Sequence, residues 1–299
     1  MTESRTTIIL IPTVNEPTLQ TVVSQVKLQA LDSTIFLLGF GPARQVAENL
    51  GVSFYDLGEK TSKPRALNRA ISTIKADRYI ILDADAIPEE GWYQNMIFAF
   101  EEGAEIFCGS INLAMGNFWM RVYNLSSAHE FSSEKPTSLR KHLAACTMGF
   151  TREFFSENGP FSEEISRSED FEWTLRAFTS GHELRFVPSA VVDHLPPAKA
   201  SFRKVLGVFF NSGYDNWLVR IKYSQVLNTP IVLRSPYLIV LLAPLLACIP
   251  TLRIFRTSPK IIFAKMHMLP FIYMTKVAWC FGVFWGYWDS KRKYGGSHV

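Results

Sequence analysis

The chain has 299 residues, 47% of them hydrophobic and 13% aromatic, which is ample for a substantial core in one large domain or two small ones. A formal net charge of +4 with a pI near 8.8 is mild; the basic residues are spread rather than packed into the stripe a duplex-binding face requires, which argues against a nucleic-acid partner. Cys108, Cys146, Cys248 and Cys280 form no CxxC pair and sit among apolar neighbours, so neither a zinc knuckle nor a disulfide framework is signalled and they read as thiols in a reducing compartment.

The opening MTESRTTIILIP has an apolar run too short for the core of a signal peptide, so the soluble part is expected to stay in the cytoplasm. Short β-rich runs then alternate with helical patterns: TIILI and Leu19 to Leu31, TIFLL and Arg44 to Leu50, VSFYD and Arg65 to Ile74, RYIIL and Trp92 to Glu101, and finally AEIFCGSI. Such alternation predicts an α/β domain with a mostly parallel sheet covered on both faces, whose ligands bind at the carboxyl ends of the strands. Beyond Gly116 the pattern mixes a helix around Phe118 to Phe131, a strand AACTMGF, a helix opening near Ser166 and a strand RFVPSAVVDH. Ser166 with Glu169 has capping-box form, which puts Glu169 and Asp170 in the first turn of that helix.

The remainder differs in character. Ser201 to Tyr223 reads as a basic amphipathic helix suited to a membrane surface, with Phe202, Val205, Leu206, Phe209 and Phe210 to one side. Two apolar stretches follow, PYLIVLLAPLLACIPTL and MLPFIYMTKVAWCFGVFWGYW, each near the roughly 20 residues a helix needs to cross a bilayer. Pro236, Pro244 and Pro250 interrupt the first and Lys276 the second, so a hairpin that spans and one that lies in the interface both remain open. The expected divisions are 1–198 as a catalytic domain, 199–234 as interfacial helices and 235–299 as a membrane-associated or transmembrane hairpin with a basic tail.

The strongest chemical signal is IILDADAIPEEGW, in which an apolar strand runs into Asp83-Ala84-Asp85. Two carboxylates at a strand end can hold one divalent cation and leave its other positions to phosphate oxygens and water; two incidental aspartates in a solvated turn are the plain alternative. Glu169 and Asp170 are the second signal, since a carboxylate at a helix N-terminus stays ionised and suits a proton acceptor, against the simple alternative of helix capping. His194, which ends the strand SAVVDH, can complete a metal site as a neutral imidazole or be a surface histidine. Strand alternation turns Asp193 the other way.

In chain order, IPTVNE, SKPRALN, LDADAIPE, CTMGFTREFF and SEDFEWTLR give the segment from about Thr6 to His194 a resemblance to the family-two glycosyltransferases of GT-A fold, a Rossmann-like nucleotide-diphospho-sugar transferase architecture. The resemblance implies transfer of a sugar from a UDP- or GDP-sugar to an acceptor hydroxyl, usually with inversion, assisted by Mn2+ or Mg2+. It implies that Pro12, Thr13, Asn15 and Glu16 line the nucleotide pocket with Lys63, Arg65 and Asn68 beside it. Asp83, Ala84 and Asp85 would hold donor and metal, with His194 as a further ligand. Asp170 resembles the general base and Glu169 its neighbour, while Cys146, Thr147, Met148, Gly149 and Trp173 would border sugar and acceptor.

The chain also departs from the family pattern. The second strand, IFLLGFGPA, ends without the acid that ordinarily reads the base, and Val14 replaces an aromatic in the first motif. No QxxRW motif is present, which favours a distributive enzyme adding one sugar. Arg203, Lys204, Tyr214 and Trp217 could serve donor phosphates or a lipid acceptor, or hold a helix on the membrane. The expected partners are the nucleotide sugar, a lipid-linked or glycan acceptor, membrane lipids at the cell membrane and, the oligomeric state being open, a second copy. A sugar nucleotidyltransferase and a catalytically silent scaffold are the rival readings; the absence of a glycine-rich phosphate loop after the first strand speaks against the former.

Overall fold

A computed structural model describes residues 5–165, 168–196, 201–257 and 266–294. The chain divides into two compact units, residues 1–115 with 131–197, and residues 116–130 with 198–299.

In the first unit, β1 (Thr7–Pro12), β2 (Thr34–Gly39), β3 (Ser53–Asp56) and β4 (Arg78–Leu82) alternate with the helices α1 (Leu19–Gln29), α2 (Pro42–Leu50) and α3 (Lys63–Thr73). Each follows from local sequence. Ile8 to Ile11 are buried without a break, as a strand covered on both faces requires. In α3 Pro64 sits in the first turn, where its missing N–H costs nothing, and Ala66, Leu67, Ala70 and Ile71 recur at helical spacing on the buried side. Helix α2 stops at Gly51, whose φ of 62° is the left-handed conformation glycine supplies.

The chain continues through β5 (Ala86–Pro88), α4 (Trp92–Glu101), β6 (Ile106–Ile111), α5 (Phe118–Ala128), β7 (Ser138–Arg140), β8 (Thr147–Thr151), α6 (Arg152–Asn158), α7 (Glu169–Thr179) and β9 (Leu184–His194). Among the described residues nine strands form one sheet in the order β3-β2-β1-β4-β8-β6-β9-β5, with β7 on β9. The mostly parallel sheet expected from the alternation is interrupted: β3, β2, β1 and β4 run parallel, and so do β6 and β9, but β8 enters antiparallel between β4 and β6. The sheet is therefore mixed, because periodicity carries no direction and the long connection before β8 brings it in from the opposite end. That reversal sets Thr147, the first residue of β8, beside Leu82, the last of β4. Strand β9 is likewise antiparallel to β5 and pairs His194 with Ala86.

In the second unit α5 accompanies α8 (Phe202–Lys222), α9 (Pro236–Leu241), α10 (Ala243–Thr257) and α11 (Leu269–Tyr294). The expected amphipathic helix is α8, which buries Val205, Phe209, Gly213, Trp217 and Val219. The first apolar stretch is two helices, and the second is one helix apolar and long enough to cross a membrane over Met266–Asp289. The expected hairpin is not shown, since the connection at 258–265 lies outside the described residues. Trp217 and Tyr214 serve this unit internally: the Trp217 ring meets Tyr287, and the Tyr214 hydroxyl bonds Asp289.

Candidate active site

Strand β4 delivers Asp83 to the carboxyl edge of the sheet, where a tight turn closed by the Ala86 N–H on the Asp83 carbonyl (3.0 Å) presents both aspartates. The Thr18 hydroxyl holds the turn from beneath by donating to the Ala84 carbonyl at 2.8 Å, so Ala84, 3% exposed, supports the turn through its backbone. The end of β9 returns to the same place, with the Leu195 N–H on the Asp85 carbonyl at 2.8 Å. His194 Nε2 stands 3.3 Å from Asp85 Oδ1.

Asp83, Asp85 and His194 each offer one ligand atom, and those atoms lie within 4.8 Å of one another. Two carboxylates and an imidazole suit a manganese-like cation, so the residues fit the group expected from the sequence. Asp193 turns the other way, as alternation requires. There burial, then the charge and hydrogen bond of Glu89, push its carboxyl up to about 6.

The second cluster reaches this turn through the segment that leads into β8. Ala145 donates its N–H to Asp170 Oδ2 at 3.1 Å, its carbonyl accepts from Lys63 Nζ at 3.1 Å, and the Cys146 carbonyl accepts the Asp83 N–H at 2.9 Å. Lys63 is also ion-paired to Asp83. Two residues thus tie the aspartate turn to the first turn of α7, and β8 runs antiparallel so that they can. The sequence holds no side-chain signal for Ala145, which acts through its backbone alone.

Electrostatics follow from the crowding of acids. Burial alone would lower the Lys63 ammonium, but the charges of Asp83, Glu169 and Asp170 more than offset this and hold its pKa above the usual lysine range. Burial, then the adjacent Asp170, pushes the Glu169 carboxyl up to about 7. The Cys146 thiol is held well above its usual value, by burial first and then by Asp83.

Helix α7 begins at Glu169 with Ser168 before it at φ 105°, while the capping-box serine, Ser166, lies outside the described residues. Asp170 Oδ1 accepts the Phe171 N–H at 2.8 Å, and Glu169 Oε2 accepts the Ser168 N–H at 3.1 Å.

After β1 the IPTVNE segment makes a self-tied loop. Thr13 donates to Glu16 Oε2 at 2.6 Å, the Val14 N–H reaches the same oxygen at 3.1 Å, and Asn15 takes φ 73° while its N–H bonds the Thr13 hydroxyl. Pro12 ends β1 beside it. Glu16 therefore shapes this loop before it does anything else.

Several residues expected beside the ligands have partners within the protein. Asn68 spends its amide on the segment before α7, donating to the Phe161 carbonyl (2.9 Å) and Glu163 Oε1 (3.1 Å) and accepting the Phe161 N–H (2.9 Å). Arg65 pairs with Glu163 at 2.9 Å. Both residues position that segment. Thr147, Met148 and Trp173 are completely buried: Thr147 accepts from the Trp92 indole, and the Trp173 ring stacks on Phe161 at 4.1 Å with its N–H on the Gly159 carbonyl. Gly149 is walled in by Phe107. Thr147, Met148 and Gly149 lie on β8, an interior strand, and Trp173 on the buried side of α7, so these four back the site as core, while the Cys146 carbonyl reaches the turn.

A sheet of this order, with a DxD turn at a strand end and an acid-tipped helix beside it, defines a nucleotide-sugar transferase of GT-A fold. The profile of glycosyl transferase family 2 matches residues 8–158, and the chain belongs to that family and is a glycosyltransferase. No curated protein matches it in sequence comparison. Among solved structures, a mannosyltransferase from Pyrobaculum calidifontis in complex with GDP-Man and Mn2+ superposes with a TM-score of 0.66 at 15% identity, over 96% of this chain and 88% of that one. Glucosyl-3-phosphoglycerate synthase from Mycobacterium tuberculosis, with Mn2+, UDP and phosphoglyceric acid, gives 0.52 at 15% identity over 72% and 78%. TarS 1-349 of S. aureus gives 0.51 at 12% over 96% and 91%. At these identities the likeness is one of fold.

Proposed function

We propose that this chain moves one sugar, with inversion, from a UDP- or GDP-sugar to a lipid-linked acceptor at the cytoplasmic face of the cell membrane. The observation that carries the reading is the joining of two acidic clusters, Asp83 and Asp85 with His194 on one side and Glu169 with Asp170 on the other, by Ala145 and Cys146. The solved relatives that bind GDP-Man or UDP with Mn2+ support a nucleotide-diphosphate donor.

Asp83, Asp85 and His194 would hold Mn2+ or Mg2+, which supplies Lewis-acid stabilisation of a departing diphosphate. Lys63, kept cationic by its acidic neighbours, adds a second positive charge where negative charge develops on the leaving group. Asp170 takes the proton of the incoming hydroxyl, held in place by the N–H groups of Ala145 and Phe171. Pro12, Thr13, Asn15 and Glu16 form the loop nearest the nucleotide. A distributive reaction fits the lack of a QxxRW segment, and a site held near a bilayer meets a lipid-linked acceptor at raised effective concentration.

The test is turnover of a panel of UDP- and GDP-sugars by the purified protein with membrane-lipid extracts, the products read by mass spectrometry and the new anomeric centre by NMR. Asp85→Ala and strong chelation should each abolish transfer. Asp170→Asn should leave donor binding nearly intact and lower kcat by about 10²–10⁴-fold. Transfer that survives chelation would sink the metal assignment, and a protein that neither turns over nor binds any nucleotide would be a scaffold.

A further inference from the structure

The second unit turns a row of large apolar side chains outward. Along α9 and α10 the outward positions Leu241, Leu245, Ile249 and Leu252 recur at helical spacing and are 60% to 73% exposed, while Ile239, Ala243, Ala247, Thr251 and Ile254 face inward. Large apolar side chains face out as well as in, where a soluble amphipathic helix carries polar residues on its outer face. Helix α11 adds Phe281, Trp285 and Trp288 on its own exposed side, and Tyr237 of α9 lies against Trp288, so the two apolar faces are continuous.

Charge agrees with this surface. Residues 116–130 and 198–299 hold fifteen Lys and Arg against three Asp and Glu, while the rest of the chain holds sixteen against twenty-four. Arg234, Arg253 and Arg256 are exposed beside the apolar face, Arg253 with a loose 3.9 Å pairing to Glu130. An apolar helical stripe edged by arginine and tryptophan has the chemistry of an anionic lipid surface, with rings at the headgroup level and cations at the phosphates.

The same unit argues against α11 crossing the bilayer. Helices α8 and α11 run side by side in the same direction: Gly282 backs onto the Phe210 carbonyl and, four residues on in each helix, Gly286 backs onto that of Tyr214. Contact runs from Phe202 on Phe271 to Tyr214 on Asp289. Wherever α11 goes, α8 goes beside it, yet α8 exposes Arg203 and Lys204 in its first turn, Asn211 at mid-length and Lys222 at its last residue, polar groups that a span would have to place. Lys276, in the middle of α11, is satisfied by the protein through the Ser126 carbonyl at 2.6 Å.

We infer that the second unit docks on one leaflet of an anionic bilayer through the outward face of α9 and α10 and the exposed side of α11, with α11 packed beside α8 and not crossing. This rests on the membrane reading above and says how that membrane is held.

The full chain should co-sediment with phosphatidylcholine vesicles enriched in phosphatidylglycerol, bind pure phosphatidylcholine far more weakly, and be released by alkaline carbonate. Leu245→Glu with Ile249→Glu should weaken vesicle binding by about tenfold or more, with unchanged circular dichroism and nucleotide binding. Should that variant fail to fold, quenching of tryptophan fluorescence in the wild-type chain by lipids brominated near the headgroup is the second readout, and no quenching overturns the proposal. Resistance to carbonate overturns the one-leaflet arrangement while leaving membrane association standing. Failure to bind either vesicle sinks both. A dimer in light scattering that the double variant dissolves, with vesicle binding unchanged, assigns the face to a second copy instead.

Discussion

The side chain on which the site's electrostatics turn is Lys63, which answers the charge of Asp83 and donates to the Ala145 carbonyl. Lys63→Met removes both interactions and should cost about 1–3 kcal/mol, measured by denaturant unfolding in the presence of a chelator, with part of the loss recovered in Mn2+. Glu169 gives a pH signature of definite sign. Its carboxyl is raised from 4.5 to about 7 in the folded chain, so between those values the folded state keeps a proton the unfolded state has released. The stability it confers is therefore full below about pH 4.5 and is lost as pH rises through about 7. Glu169→Gln should flatten that part of a plot of urea midpoint against pH; an unchanged slope would show that the proton is held elsewhere.

At the scale of elements, β8 decides where the chemistry can stand, because its reversed direction brings Ala145 and Cys146 to the end of β4. Gly149 is essential to that strand: a Cβ there would lie 2.5 Å from Phe107 Cζ. Gly149→Ala should destabilise the fold by about 1–3 kcal/mol, seen as a lower denaturant midpoint, and should impair transfer only in proportion to the unfolded fraction. Much of this was legible in the sequence. Apolar runs located β1 to β4 and their helices, and acids at a strand end and a helix start identified Asp83, Asp85, Glu169 and Asp170, since those features are local. What was not legible depends on direction and partner. Nothing in AACTMGF says that it runs antiparallel, or that its first residues form a strap and only Thr147–Thr151 a strand. Nor does SKPRALN reveal that Asn68 and Arg65 face Phe161 and Glu163, which lie over ninety residues on.

For the molecule as a whole, the two units differ in surface character, one carrying the acidic clusters of the site and the other a row of exposed apolar side chains. Overall composition hides this, because a mild +4 is the residue of two large opposing totals. Helices α8 and α11 were each legible, but their pairing was not, and the glycine contacts between them bear on whether α11 spans. The segregation of sign should also govern how the protein behaves on charged matrices, where local patches and not the net value set retention. At neutral pH and low ionic strength in mild detergent, an anion exchanger should hold the chain by its acidic portion although its formal charge is positive. A cation exchanger should hold it by the basic one, and the two should release it at different salt concentrations.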